Sequence, residues 1–226
     1  MPPGHEIARE QILIIPEMAA LFKGEHALLA YADDALHASN PPDLAALNLF
    51  KTNKGETDMD KIETAKKAYA LAYEYEQKYG DCPQCVLAAL QETIGGIDDA
   101  VFQAAHPLAG GSGLCGIGTC GALVGGMLAI GTRFGRSREK FTEKSPRRSY
   151  KLSKQLLERF VGELGSPICR GVQEHIFGRS FDLWDTKEYQ EFLDKGGHVD
   201  KCPQVAAQVA EWTVEILFDA DDGRVW

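Results

Sequence analysis

The residues of this chain best suited to chemistry are its six cysteines: Cys82, Cys85, Cys115, Cys120, Cys169 and Cys202. A thiolate is both a nucleophile and a soft metal ligand, so such a set serves iron–sulfur ligation, zinc ligation or thiol–disulfide exchange. Two pairs are close in sequence. Cys82 and Cys85 form a Cys-x-x-Cys, a spacing shared by all three chemistries, and on a dithiol reading they are the catalytic pair. Cys115 and Cys120 flank Gly116-Ile117-Gly118-Thr119. Val86 stands where a c-type haem attachment needs histidine, so no covalent haem is expected there.

The cysteines recur where helices begin. Cys82-Pro83-Gln84 and Cys202-Pro203-Gln204 each lead into an apolar helical pattern, and proline favours the first helical position. That predicts Cys82 and Cys202 at N-caps and Cys85 in a first turn. In Ser166-Pro167-Ile168-Cys169 the serine caps, the proline opens, and Cys169 again falls in the first turn. Thr119-Cys120 starts a fourth helix. A helix start offers unpaired N–H groups and partial positive charge worth about 0.3–1 kcal/mol to a nearby anion, so acidified thiols are expected.

A glycine-rich loop, Gly110 to Gly118, precedes Cys120. It contains a formal Gly-x-Gly-x-x-Gly, but no strand precedes it and no ribose-binding acid follows in a βαβ context. The local reading is that glycines let backbone N–H groups and sulfurs pack closely round a cofactor, with Cys115, Gly116, Gly118 and Gly121 as the residues that touch it. Gly121, Gly125 and Gly126 each cost a helix up to ~1 kcal/mol relative to alanine, which close approach of a helix or cofactor would offset. His106, His175 and His198 lie near cysteine-bearing segments, yet no His–Cys spacing matches a known ligand set. Surface or capping roles are expected for them.

The elements that must position these residues read as helices. Ile62, Ala65, Tyr69, Ala72 and Tyr73 lie at helical spacing within Asp60 to Tyr79. Apolar helices follow over Pro83 to Ile94 and Cys120 to Ile130, with a short one near Asp98 to His106. Leu152, Leu156, Leu157, Phe160, Val161 and Leu164 form a stripe that Gly165 stops, and Val205, Val209, Trp212 and Ile216 share a face of a last helix over Pro203 to Phe218. No alternating strand pattern of useful length is present. The predicted class is all-α, a multi-helix bundle with cysteines at helix N-termini and a glycine-rich loop. Residues 1–56 read as a helical arm and linker, and 57–226 as the cysteine-rich domain.

Composition narrows the partners. Lys and Arg number 24 against 33 Asp and Glu, a net charge of -9, which argues against a nucleic-acid or anionic-membrane binder. The basic run Arg133 to Arg148 reads as a solvated connector. No apolar run approaches the ~20 residues of a membrane helix, and Met1 to Glu10 carries no signal-peptide pattern, so cytoplasmic residence is expected. A reducing compartment keeps thiols open, which makes chemistry a better reading of six cysteines than a disulfide scaffold. The leading chemistry is electron transfer through a cysteine-ligated iron–sulfur cluster. A dithiol–disulfide oxidoreductase and a structural zinc or interaction module are the alternatives.

From about Tyr79 to Leu217 the motifs resemble the redox-active family named for its pattern C_GCAxxG_C_C, to which the helical part of split-Soret cytochromes is also similar. Cys82 with Val86 and Leu87 resembles its first cysteine, Cys120 with Gly121, Ala122 and Gly125 its central block, and Cys169 and Cys202 its last two. The centre here reads Cys-Gly-Ala where the family name has Gly-Cys-Ala, and Cys85 and Cys115 look like additions. The resemblance implies redox activity, with Cys82, Cys120, Cys169 and Cys202 converging as metal ligands. It also implies a redox partner protein or a small electron donor or acceptor, and the sequence leaves room for a homodimer.

Overall fold

A computed structural model describes residues 54–221 of the chain. Helix α1 (Lys54–Tyr79) takes in the last residues of the expected arm and linker, 1–56. The rest of the expected arm, residues 1–53, lies outside the described residues. After α1 come α2 (Cys82–Thr93), α3 (Asp99–Ala105), a 3-10 turn (His106–Leu108) and the glycine loop. They are followed by α4 (Gly121–Phe134), α5 (Arg148–Leu164), α6 (Cys169–Phe177), α7 (Thr186–Asp194), a π-helical turn (Gly197–Lys201) and α8 (Cys202–Asp221). The fold is all-α: among the described residues the only extended pairing is one antiparallel bridge between Thr119 and Ile168.

The core forms where α1, α2, α4 and α5 pack round α8. On α1 the buried stripe is Ala65, Ala68 and Ala72, small residues that let α8 approach closely, while Ile62 is exposed although its spacing suggested the core. Helix α8 answers with Val205, Val209, Trp212 and Ile216. On α5 Leu152, Leu156, Phe160 and Leu164 are buried at successive i+4 positions, Val161 faces out, and Gly165 closes the helix at φ +73°.

Helices α2 and α4 meet along glycine. A Cβ on Gly125 would stand 2.8 Å from Pro83 O and 3.0 Å from Val86 Cβ, so this contact exists only because the side chain is absent. Gly131, later on the same helix, has open space round its missing Cβ. Gly125→Ala is therefore expected to destabilise the protein by about 1–3 kcal/mol through overpacking. Gly131→Ala is expected to stabilise it by about 0.5–1 kcal/mol by lowering the entropy of the unfolded chain. Thermal melts of the two variants should move in opposite directions.

Candidate functional site

Local chain geometry carries each cysteine to its place. Tyr79 ends α1, and Gly80, at φ +65°, turns the chain back into α2 with no room for a side chain, since a Cβ there would lie 2.9 Å from the His198 ring. The N-cap of α2 is Asp81, whose carboxylate accepts from Gln84 N–H, so Cys82 is the first helical residue and not the expected cap. The cap of α6 is Ile168, with Ser166 Oγ accepting from its N–H at 3.1 Å, and Cys169 opens that helix. Cys202 starts α8, but its N–H donates to Gly197 O in the π turn, so this helix has no free start. Cys120 does cap α4.

Backbone pairing clamps two of these thiols side by side. Cys120 N–H donates to Pro167 O at 2.8 Å, Cys169 N–H to Gly118 O at 3.0 Å, and Arg170 N–H to Gly116 O at 2.8 Å. The glycine loop thereby satisfies the first N–H groups of α6. Residues 110–114 all have left-handed φ between 56° and 73°, a conformation costing non-glycine residues about 1–2 kcal/mol each, so Gly110, Gly111 and Gly113 make this coil affordable. Gly116 and Gly118 shape the loop, and Gly121 lies against the site, where a Cβ would come 3.2 Å from Cys82 Sγ. Cys115 stands apart, exposed, its Sγ donating to Gly113 O at 3.4 Å.

Cys82, Cys120, Cys169 and Cys202 come together. All four are free thiols, and ionisation at Cys82 or Cys202 is opposed by charge at Cys120 and Cys169. Burial, not the helix start, governs their acidity, which corrects the expectation of acidified thiols. Cys82 and Cys202 keep some accessible surface, yet desolvation of their densely surrounded sulfurs pushes both well above the ordinary value. Desolvation raises Cys120 to about 12, against a smaller lowering by the Ala122 and Leu123 N–H groups. Cys169 is raised to about 11 by burial, offset in part by Gln173. Gln173 Nε2 points at Cys169 Sγ from 3.7 Å while its Oε1 accepts from Phe181 N–H. Cys85 is buried and raised as well, first by desolvation and then by a carboxylate.

That carboxylate is Glu76, which sequence reading missed. It has 0% exposure, lies on the buried stripe of α1 four residues after Ala72, and its charge raises Cys82, Cys85, Cys120 and Cys202. Its spacing from Ala65, Ala68 and Ala72 was the available signal. His198 joins it, Nδ1 standing 3.4 Å from Glu76 Oε1, which replaces the expected surface role. Three contacts hold that pairing in place: Tyr73 Oη and Gln77 Nε2 donate to Val199 O, and Phe192 of α7 packs edge-on to the His198 ring at 5.2 Å. His106 is exposed, 3.7 Å from Asp81, and His175 borders a separate surface cleft. Cys85 forms part of the wall of a cavity of about 510 Å³ with Tyr75, Tyr79, Gln84, Glu92 and Phe102.

Once deprotonated, four cysteines supply thiolates, the ligand type that iron–sulfur and zinc centres take. Among the described residues no three His, Cys, Asp or Glu side chains are spaced to hold a single metal ion. A cluster of several irons is wider than one ion, so its thiolate ligands stand farther apart than four ligands at Zn–S distances of about 2.3 Å.

The fold is all-α and sets free thiols from four separate segments near one another. Residues 81–216, more than half of the chain, match the family described as "Putative redox-active protein (C_GCAxxG_C_C)", and the chain belongs to that redox-active family. No curated protein and no solved structure matches the chain significantly. Among the described residues no helix is long and apolar enough to cross a membrane.

The raised thiols set the pH dependence of the metal-free protein. Below pH 9 folded and unfolded chains both hold these protons. Above it the unfolded chain releases protons that the folded chain keeps, so stability falls as pH rises from 9.0 through the folded values, about 12 for Cys120 and about 11 for Cys169. Melting temperatures of the metal-free protein from pH 7 to 11 should decline above pH 9, and the decline should be shallower in Cys120→Ser. An identical slope in the variant would show that Cys120 does not titrate in this way.

Proposed function

We propose that this protein transfers electrons through an iron–sulfur centre held by Cys82, Cys120, Cys169 and Cys202, passing them between a small donor or acceptor and a redox partner protein in a reducing, cytoplasmic setting. The observation that carries the reading is four free thiols from four separate segments, Cys120 and Cys169 buried and Cys82 and Cys202 half-buried, set within reach of one another's charge. Thiols held protonated by burial in this way are poor nucleophiles as free groups. Metal coordination deprotonates a thiol outright, so a metal centre accounts for the burial and a free dithiol does not. Such a centre supplies one-electron transfer. The chain's own part is to hold the thiolates, exclude water with Ala122, Leu123 and Pro83 around them, and present a Gln173 N–H to Cys169.

A dithiol oxidoreductase at Cys82 and Cys85 is the second reading, favoured by the cavity that Cys85 borders. One substitution separates the two. Anaerobic reconstitution with ferrous iron and sulfide should give the full-length protein visible absorption, acid-labile sulfide and a paramagnetic signal on reduction. Cys120→Ser or Cys202→Ser should abolish all three, because a hydroxyl replaces a thiolate ligand poorly, while Cys85→Ser should keep them. An iron-free wild type whose Cys85→Ser form accumulates mixed disulfides would establish the dithiol reading instead.

A further inference from the structure

Helix α2 carries Cys82 toward α4, while another part of its surface opens on the cavity of about 510 Å³, a size that holds a small organic molecule. Gln84, Cys85 and Ala88 of α2 form its floor. Tyr75 and Tyr79 of α1 line it with rings 6.0 Å apart and tilted by 43°, and Phe102 of α3 adds a third ring. Tyr75 and Phe102 are half-buried, whereas Tyr79 is 72% exposed. Two contacts fix this frame: Gln84 Nε2 donates to Phe102 O at 3.0 Å, and Tyr75 Oη donates to Glu92. The charged groups of the lining are the carboxylates of Asp81 and Glu92, with no lysine or arginine beside them. Lys78, the nearby cation of α1, is paired with Glu74. His106, 3.7 Å from Asp81, is exposed and lies outside the lining. Two other clefts among the described residues differ in this respect, since Lys201 lines one and Arg133 the other.

Aromatic ring faces attract cations, and carboxylates add to that attraction while repelling anions. Three rings and two carboxylates without a cation of the chain in the lining select a flat, positively charged organic molecule and turn away nucleotides and carboxylic acids. Resting on the electron-transfer reading above for its role, we propose that this cleft seats the small electron donor or acceptor, and that the class it takes is a planar aromatic cation. Cys82 and Cys85 share the first turn of α2, so the cleft and the thiol site are separated by the thickness of one helix, about 10–12 Å with its side chains. The step is a single electron transfer. A donor in the cleft gives one electron to the centre and gains one unit of positive charge, an acceptor does the reverse, and no bond forms or breaks. Cys85 is then a floor residue of the cleft.

The test uses the full-length protein with methyl viologen, a flat aromatic dication, as the probe and its uncharged parent bipyridine as the control. Calorimetric titration should show saturable one-to-one binding of methyl viologen and at least about tenfold weaker binding of bipyridine. Tyr79→Ala and Glu92→Gln alter exposed side chains, so both variants should fold, and each should weaken methyl viologen at least about threefold. Tyr79→Phe keeps a ring and should bind as wild type does. After anaerobic loading with iron and sulfide, reduction of the protein by the viologen radical cation should saturate with its concentration, and Tyr79→Ala should need correspondingly more of it. Equal binding of the two probes would overturn the cationic class. Binding that is absent, or unmoved by Tyr79→Ala and Glu92→Gln alike, would overturn the cleft as the site. A loaded protein that the radical cation reduces equally well in wild type and Tyr79→Ala would overturn the cleft's redox role and leave the iron–sulfur reading standing. A protein that binds methyl viologen through Tyr79 and Glu92 yet takes up neither iron nor sulfide would overturn the electron-transfer reading and leave the binding site standing.

Discussion

A fully buried carboxylate among buried thiols is the interaction on which the rest of the structure depends. The thiols are costly to ionise away from water, and charge on their neighbours adds to that cost. In the metal-free protein the cost is held down by keeping the thiols protonated, since burial first and neighbouring charge second make each of them a weaker acid. Apolar packing elsewhere must exceed what remains. The close contact of α1 with α8 through Ala65, Ala68 and Ala72 and that of α2 with α4 through Gly125 supply it.

Positioning falls to short irregular segments more than to the helices. The left-handed coil at 110–114 and the Thr119–Ile168 bridge hold Cys120 beside Cys169, and they use up the N–H groups that would have made the start of α6 an anion site. The π turn does the corresponding work for Cys202 and His198. A π turn sets its residues further from the axis than an α-helix does and is common at functional positions. Here it turns His198 toward α1 and Val199 O toward Tyr73 and Gln77.

Much of this was legible in the sequence, because proline and glycine punctuate it. Pro83, Pro167 and Pro203 mark where Cys82, Cys169 and Cys202 sit, and Gly165 marks the end of α5. The helical class follows from apolar spacing. What failed was electrostatic. A helix start stabilises a thiolate by about 0.3–1 kcal/mol, whereas burial acts on the whole hydration of the ion, and burial is a tertiary property that no local motif encodes. Glu76 escaped for the same reason: a glutamate in a helix reads as solvated unless its position on the alanine stripe is given more weight than its residue type. The helix Thr186–Asp194 and the π turn carry weak signals, since α7 buries only Phe192 and the turn is defined by its contacts.

The separation of the ligand segments bears on how such a site assembles. Cys82, Cys120, Cys169 and Cys202 are far apart in sequence, so they meet only once α2, α4 and α8 have packed and the glycine loop has paired with α6. On the proposed function, metal binding is coupled to folding, and the thiol protons it releases make that coupling dependent on pH. On the proposed function, the burial that keeps these thiols protonated in the metal-free fold is offset when iron takes the place of their protons, which explains how a chain keeps four cysteines where helix starts alone do not acidify them.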